Sequence, residues 1–315
     1  MKNCLFILFL LIQGIHLKGQ EQPVSRKYLH NLSYINPACV GQNYCTDFFV
    51  TDRHQWLGID QAPATQVLGV EHAILPNPYK ASRKFGLSLE FISDNNGAVR
   101  QTGGQAGYAF HTRLNKKKDI FMSLGLKFSM MQHSIQANEA NVTDPILGAG
   151  ESALLADAST GIYFYSPKFY AGFSMMGLLP STKQFYENKT TSFLPGNFYL
   201  FAGYYIIPKT VNVKFNPSFV IKMNQKLYRQ IDFNLIADFG TQFQAGMSYR
   251  QNIDRFPGMN TELQFLAGTR VKIFHVTYVF GLNLNSTGGG HWGSHELGLN
   301  YRICYREKPQ CPALE

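Results

Sequence analysis

The residues that come closest to a metal-binding pattern lie near the C-terminus. His291 and His295 are four residues apart and Glu296 follows, a spacing that can bind zinc when it lies on a helix. The pair instead follows a run of glycines and enters a segment that alternates like a strand, where residues four apart are too distant to share a metal. We therefore predict a polar loop at this position and no metal site.

Catalytic motifs of other classes are missing from the sequence. It contains no G-x-S-x-G nucleophile turn, no Walker phosphate loop and no G-x-G-x-x-G before a helix. The strand faces predicted below bring together neither paired acids nor a Ser/His pair. We therefore expect a protein that is not an enzyme and that carries no cofactor.

The cysteines permit disulfide bonds but do not fix their pairing. Cys39 and Cys45 lie near the start of the chain beyond its leader, and Cys304 and Cys311 lie near its end. An even number of cysteines in an oxidising compartment permits disulfides. Two local bridges, Cys39–Cys45 and Cys304–Cys311, and a bridge that joins the two ends all remain compatible with the sequence.

The first residues have the composition of a secretory signal peptide. Lys2 precedes an apolar stretch at 4–12, and Gly19 is a small residue at the expected cleavage site, so residues 1–19 are assigned to the leader. Cys4 precedes the apolar stretch and therefore cannot be a lipidated cysteine. Export also argues against nucleic acid as a partner, although the formal net charge is +9.

Beyond the leader, the chain is dominated by alternation with a period of two. Between 119 and 131, for example, Leu124, Leu126 and Phe128 fall on one face while Lys127 falls on the other. This period predicts strands with one apolar and one polar face. About fourteen such segments occur, at 44–53, 62–74, 84–93, 99–112, 119–132, 159–165, 168–175, 197–206, 211–224, 230–238, 240–249, 261–268, 272–284 and 293–303.

These strands predict an all-β protein with a single transmembrane antiparallel β-barrel of about 14 strands. Each strand is close to the roughly 10 residues that a tilted strand needs to cross a bilayer. Tight turns, as at 166–167, alternate with long connections, as at 133–159 and 177–196, and this is the pattern of periplasmic turns and outer loops. Closure into a barrel would pair the backbone N–H and C=O groups of the edge strands, which lipid cannot hydrogen-bond. A soluble, exported all-β protein is the alternative, because its strands would alternate in the same way.

The predicted barrel spans residues 44–303, with both termini in the periplasm. Residues 20–43 then form a periplasmic N-terminal segment, and residues 304–315 form a periplasmic tail.

The inner face would carry charges of both signs, which favours a packed or plugged lumen over a selective pore. A polar replacement of Lys127 is accordingly expected to be harmless. The predicted inward charges are Glu71, Glu90, Lys127, Lys214, Lys222, Asp232, Glu262, Glu296 and Arg302.

Three segments of the N-terminal third carry motifs more specific than the alternation. They are YINPA at 34–38, followed by Gly41, RHQWLGIDQAPAT at 53–65, and the segment from Gly86 to Gly97. In this order they resemble the segments YINPAYAG, R.QW.GI..AP.T and GLGL…ND..G of the PorP/SprF family of type IX secretion-system outer-membrane proteins. The matching positions singled out as candidate partner contacts are Asn36, Pro37, Arg53, Gln55, Trp56, Gly58, Ala62 and Pro63.

The resemblance implies a non-enzymatic outer-membrane barrel of the type IX secretion and gliding machinery. Its partners would be the C-terminal sorting domain of a secreted cargo or adhesin, the translocon with its periplasmic components, and outer-membrane lipid. One role for Trp56 is to dock in the barrel mouth or against cargo. The alternative is that it anchors the first outer hairpin at the membrane interface. Two features depart from the family: Cys39 stands where many relatives have an aromatic residue, and the region 137–158 has no counterpart, so partner specificity is assigned to it.

An outer-membrane transporter for small hydrophobic molecules is the alternative function, since barrels of about fourteen strands also carry such solutes. A transporter would have an apolar groove in its lumen and an N-terminal plug. The charged inward face and the short segment before Tyr44 weigh against transport.

Overall fold

The computed structural model describes residues 26–29, 31–75, 82–97, 99–135, 152–179, 196–224, 229–253, 261–284 and 293–304. The strands form one closed antiparallel barrel, in which each strand pairs with its neighbours in sequence and β1 pairs with β14. They are β1 (Cys45–His54), β2 (Ala64–Ile74), β3 (Arg83–Asn96), β4 (Val99–Asn115), β5 (Ile120–Ile135), β6 (Ser152–Tyr165), β7 (Phe169–Met176), β8 (Asn197–Tyr204), β9 (Val213–Asn224), β10 (Arg229–Phe239), β11 (Phe243–Asn252), β12 (Glu262–Val271), β13 (Phe274–Asn283) and β14 (Ser294–Cys304). Three 3₁₀ helices precede β1, at Arg26–Leu29, Leu32–Tyr34 and Pro37–Cys39. Within the described ranges, no helix is both long and apolar enough to cross a membrane.

The prediction of a fourteen-strand antiparallel barrel is confirmed, and its two faces follow the alternation of the sequence. On β5, the outward side chains of Leu124, Leu126 and Phe128 are 52%, 49% and 62% exposed. The inward side chains of Ser123 and Lys127 are 0% and 2% exposed. Because a strand directs successive side chains to opposite faces, this one pattern gives the barrel an apolar outside and a polar inside.

Strand β6 begins earlier than the alternation predicts. The expected strand at 159–165 follows a long loop, whereas β6 starts at Ser152 and pairs there with the end of β5. The alternation is hidden because Leu154 and Leu155 are both apolar, although Leu154 is 64% exposed and Leu155 is 7% exposed. The part of the region 137–158 from residue 152 onward is therefore barrel wall, and its remainder lies outside the described residues.

The connections define two ends of the barrel, which we name the loop end and the turn end. The loop end carries the connections 55–63, 97–98, 136–151, 177–196, 225–228, 253–261 and 284–293, and the turn end carries 75–82, 116–119, 166–168, 205–212, 240–242 and 272–273. The start of β1 and the end of β14 both lie at the turn end. The expected separation of long and short connections is incomplete, since 97–98 is short and lies at the loop end while 205–212 is longer and lies at the turn end.

Replacing Leu126 with arginine is expected to impair assembly of the barrel. Leu126 is 49% exposed on the outer face of β5, and an arginine near the middle of the bilayer costs about 2–4 kcal/mol. The matched control is Leu114→Arg, because Leu114 is also exposed, at 56%, but lies at the strand end of β4, close to the 116–119 turn. The yield of folded protein, measured by the heat-dependent shift in gel mobility, should fall for Leu126→Arg alone. Equal yields for both variants would contradict the assigned lipid face.

Candidate functional site: the filled lumen and the first hairpin

The described residues from Tyr28 to Tyr44 lie inside the barrel, and we call them the plug. The predicted boundaries leave residues 20–43 outside it, yet the side chains of Tyr28, Ile35 and Val40 are at most 2% exposed. The 3₁₀ helix Pro37–Cys39 contacts β4, β5 and β6. A segment this short has no core of its own, so its apolar side chains can leave water only by packing against the barrel wall.

Buried charges on the inner face of the barrel bind the plug. Glu71 accepts hydrogen bonds from Asn31 Nδ2, at 2.6 Å, and from the hydroxyl of Ser33. Lys127 Nζ donates to the backbone oxygen of Ser33, at 3.1 Å, and to Glu90 Oε1, at 2.8 Å. A buried charge is tolerated only when it is paired and hydrogen-bonded, so the plug contributes part of what these charges require.

Asn36 fixes the plug to the wall and also shapes the plug itself. Its Oδ1 accepts from the amide of Ala38 at 2.9 Å, which caps the 3₁₀ helix that Pro37 begins. Its Nδ2 donates to the backbone oxygens of Ile162, at 3.0 Å, and Phe173, at 3.3 Å. One fully buried amide therefore joins the turn of the plug to both β6 and β7.

Inward glycines leave space for the plug, for its backbone at Gly86 and Gly125 and for the Asn36 side chain at Gly161 and Gly172. A Cβ at Gly125 would lie under 3.0 Å from atoms of Pro37 and Ala38, and a Cβ at Gly161 would lie under 3.0 Å from the side chain of Asn36. Because a side chain at either position would fill this space, glycine permits the plug to contact the strands directly. The glycines with this role are Gly86, Gly125, Gly161 and Gly172.

An aromatic cluster covers another part of the plug. The rings of Phe121 and Tyr165 stack with their centroids 5.2 Å apart, and those of Tyr163 and Phe201 lie 5.9 Å apart. Cys39 lies in this cluster as a free, buried thiol. Burial raises the pKa of the Cys39 thiol well above its usual value, so the sulfur stays protonated and unreactive while the plug is seated.

The predicted inward charges line the lumen, and several of them pair with opposite charges. Arg250 makes a bidentate contact with Asp232, at 3.0 and 2.9 Å, and lies 3.8 Å from Glu262. Arg302 pairs with Asp47 across the junction of β14 and β1. Arg250 was not among the predicted charges because the expected strand at 240–249 ended one residue before it. Six of the nine predicted positions are buried: Glu71, Glu90, Lys127, Lys222, Asp232 and Glu296.

The eight signature positions divide between the lumen and the loop end. Asn36 and Pro37 are buried in the plug, and Arg53 is 3% exposed on the inner face of β1, with its Nε 3.9 Å from Glu296 Oε2. Their side chains contact the barrel itself in this structure. The other five lie in the connection 55–63 between β1 and β2, which we call the first hairpin: Gln55, Trp56, Gly58, Ala62 and Pro63.

The first hairpin has a defined backbone and an apolar tip. Its base is closed by a hydrogen bond from Gln55 N to Pro63 O at 2.8 Å, and the amide of Leu57 donates to Gly293 O at 3.0 Å. Gly58 has φ of 99°, a conformation that favours glycine, so this turn requires it. Leu57 and Ile59 are 47% and 44% exposed, which leaves two apolar side chains at the loop end without cover from the described residues.

A disulfide joins the first and last strands of the barrel. Cys45 and Cys304 are paired residues of β1 and β14, with their Cα atoms 4.0 Å apart. Of the arrangements that the sequence leaves open, the structure therefore has the bridge between the ends. Cys39 is a free, buried thiol in the plug, and Cys311 lies outside the described residues.

Replacing Cys45 with serine is expected to lower the thermal stability of the barrel. The bond spans 259 residues, and removing a native disulfide typically costs about 2–5 kcal/mol. The unfolding midpoint in detergent should fall for Cys45→Ser and for the wild type under reductant, but should not fall for Cys311→Ser. Reductant should have no further effect on Cys45→Ser. An unchanged midpoint in that variant would show that the bond does not stabilise the closed barrel.

The histidines near the C-terminus do not form a metal site within the described residues. His295 Nδ1 forms a hydrogen bond with the hydroxyl of Tyr278 at 2.6 Å, on the outer face of β13 and β14. His291 lies outside the described residues. Across the described ranges, no group of His, Cys, Asp and Glu side chains is arranged to hold a metal ion.

Among the described residues, pockets lie on both sides of the plug. The pocket toward the turn end is lined by residues such as Tyr28, Asn234 and His275. The pocket toward the loop end is lined by residues such as Tyr34 and Asp157. We call these two pockets the vestibules, and each of them mixes polar and apolar side chains.

Solved structures with a similar fold are outer-membrane barrels. The toluene transporter TbuX of Ralstonia pickettii superposes with a TM-score of 0.53 at 9% identity, over 92% of this chain and 100% of that chain. BamA from Haemophilus ducreyi, lacking POTRA domains 1–3, gives 0.47 at 7% identity over 83% and 70%. CdiB from Acinetobacter baumannii gives 0.38 at 9% identity over 82% of this chain, which spans 60% of CdiB. No curated protein matches this chain in sequence.

One family pattern covers nearly the whole chain. The family described as type IX secretion system membrane protein PorP/SprF matches residues 17–301, a range that includes the plug, the first hairpin and most of β14. At 9% identity the likeness to TbuX shows the fold alone, and that fold is an outer-membrane barrel. The chain belongs to the PorP/SprF family of type IX secretion system membrane proteins, and its fold is the closed β-barrel of outer-membrane proteins.

Proposed function

We propose that this protein holds a secreted cargo at the loop end of its barrel, through the cargo's C-terminal domain, during export or surface attachment. The observation that supports this role is the filled lumen. The plug is bound by buried charges, by Asn36 and by the inward glycines. An N-terminal plug is also expected of a transporter, but a transporter needs an apolar groove beside it, and this lumen carries buried ion pairs such as Lys127–Glu90 and Arg250–Asp232. A lumen filled by a plug and paired charges suits a docking platform better than a conduit.

The loop end is the side proposed to face the cell exterior. Bacterial outer-membrane barrels place their short turns in the periplasm and their longer loops outside. Both ends of the barrel strands, at Cys45 and Cys304, lie at the turn end and would therefore be periplasmic. This orientation would present the first hairpin to cargo and the turn end to the periplasmic components of the secretion system.

The first hairpin is the proposed contact for cargo. Its apolar tip, Leu57 and Ile59, is held in place by the backbone bonds at its base and by the bond to Gly293. Exposed apolar side chains on a rigid turn lose little conformational freedom on binding, which favours recognition. Trp56 is half-buried at the root of this tip, and supporting the tip is the role proposed for its large ring.

An affinity pull-down from solubilised outer membranes tests the proposal. We expect the wild-type protein to capture a secreted protein through its C-terminal domain, and the double variant Leu57→Ser/Ile59→Ser to lose this capture. The matched control is Ile253→Ser/Leu284→Ser, because both residues are at the loop end and are 49% and 54% exposed. The control variant should bind cargo as the wild type does.

Two outcomes would contradict the proposal. Equal loss of capture in both variants would mean that the first hairpin is not the contact. Capture of no secreted protein, together with loss of hydrophobic solute uptake when the gene is deleted, would favour the transporter instead. Transport is the role named for TbuX, and the two vestibules are the feature of this chain that such a role would use.

A further inference from the structure

The turn end of the barrel carries an excess of exposed positive charge. Of its six connections, five have an exposed lysine or arginine in them or beside them, and only 240–242 has none. We call these residues the basic rim: Arg83, Lys116, Lys117, Lys118, Lys168, Lys209 and Lys272. The only carboxylate exposed in these connections is that of Asp119, which lies 3.6 Å from Arg113, so it is already paired.

Exposed apolar side chains accompany the basic rim. Lys209 lies between Ile207 and Val211, which are 63% and 51% exposed, and Lys272 follows Val271, which is 60% exposed. Leu114, 56% exposed, precedes the three lysines of the 116–119 turn. A face in contact with water alone would not combine bare aliphatic side chains with cations at successive turns. The combination is that of a membrane interface, where apolar groups enter the acyl region and lysines extend toward the headgroups.

The charges at the loop end are arranged differently. Among its described residues, the exposed acids Asp52 and Asp60 accompany the exposed bases Arg100 and Arg229, so neither sign dominates. The positive excess is therefore a property of one end of the barrel and does not simply follow from the net charge of the chain.

We propose that the basic rim binds the headgroups of anionic phospholipids and so holds the turn end at a negatively charged leaflet. The distribution around the barrel favours lipid over an acidic protein, because a protein would contact one sector while the cations occur at turns around the circumference. Each lysine near an anionic membrane surface favours binding about fivefold. The inference rests on the barrel fold and does not depend on the cargo role.

Lipid selectivity of the reconstituted full-length protein tests this inference. Spin-labelled phosphatidylglycerol and phosphatidylcholine are compared in vesicles of equal parts of the two lipids, and the fraction of each that is motionally restricted by the protein is measured. We expect the wild type to prefer phosphatidylglycerol by about fivefold at low salt. High salt should reduce the preference, because it screens exposed charges, and inorganic phosphate should act no more strongly than chloride at equal ionic strength.

Two variants test whether the preference for phosphatidylglycerol arises at the turn end. The rim variant replaces Lys116, Lys117, Lys118, Lys168, Lys209 and Lys272 with glutamine, and it should lose the preference while folding normally, since all six side chains are exposed. The control Arg100→Gln/Arg229→Gln should keep the preference. Retention of the preference in the rim variant overturns the inference. So does an absence of selectivity in the wild type accompanied by loss of a co-purifying acidic protein from the rim variant.

Discussion

Replacing Gly125 with valine is expected to expel the plug while the barrel still assembles. A Cβ at this position would lie under 3.0 Å from backbone atoms of Pro37 and Ala38, which cannot rotate away as a side chain could. The bulkier valine would deny the plug its contact with β5, whereas it suits a strand and leaves the backbone pairing of β5 intact. The lumen should then open.

Two measurements follow the plug directly. Cys39 is buried and protonated in the wild type, so in a Cys311→Ser background its reaction with a maleimide should be very slow. In Gly125→Val the reaction should become fast without denaturant, and the conductance of the protein in a planar bilayer should rise.

The matched control is Gly104→Val. A Cβ at Gly104 meets its nearest atom, the backbone oxygen of Glu90, at 3.6 Å, which is an ordinary contact. This variant should keep Cys39 unreactive and the conductance low. Slow labelling in Gly125→Val, with a normally folded barrel, would show that the plug does not need the space above this glycine.

Replacing Lys127 with glutamine is expected to destabilise the protein by about 3–5 kcal/mol, the cost of breaking a buried ion pair. The alternation of the sequence alone predicts that a polar replacement here is harmless, because the lumen is polar. The structure corrects this expectation, because Lys127 and Glu90 are each 2% exposed and lie 2.8 Å apart. Without the lysine, the Glu90 carboxylate is buried without its cation and Ser33 O loses a donor.

A double-mutant cycle tests the pair. Glu90→Gln alone should also be strongly destabilising, whereas Lys127→Gln/Glu90→Gln should recover much of the loss, since both buried groups are then neutral amides. The free energy of unfolding of the four proteins can be compared by urea titration. Additive losses would mean that the two side chains act independently and that the observed contact contributes little.

Much of the barrel could be predicted from local sequence because its outer face contacts lipid hydrocarbon all the way around. The alternation of Leu124, Leu126 and Phe128 is a direct consequence of lipid on one side of β5. The prediction failed where the inner face is apolar too, as at Leu154 and Leu155 of β6, since period two is then invisible.

The inward charges predicted a packed or plugged lumen, but the residues that fill it could not be predicted from local sequence, because their partners are distant in the chain. Asn36 binds backbone atoms of residues 162 and 173, and Ser33 binds Lys127, contacts that no local pattern encodes. The inward position of Gly125 and Gly161 was the available signal, since glycine within a strand often marks close approach of another backbone. The disulfide likewise required the order of the strands, which brings Cys45 beside Cys304.

The bond between Cys45 and Cys304 also makes the barrel a covalent ring. Every strand lies between these two residues, so a protease that cuts one exposed connection opens the ring without dividing it into two pieces. Only a second cut, or reduction, would release a fragment. A protein displayed at a cell surface would thus keep its whole barrel wall covalently linked after one cut in any loop.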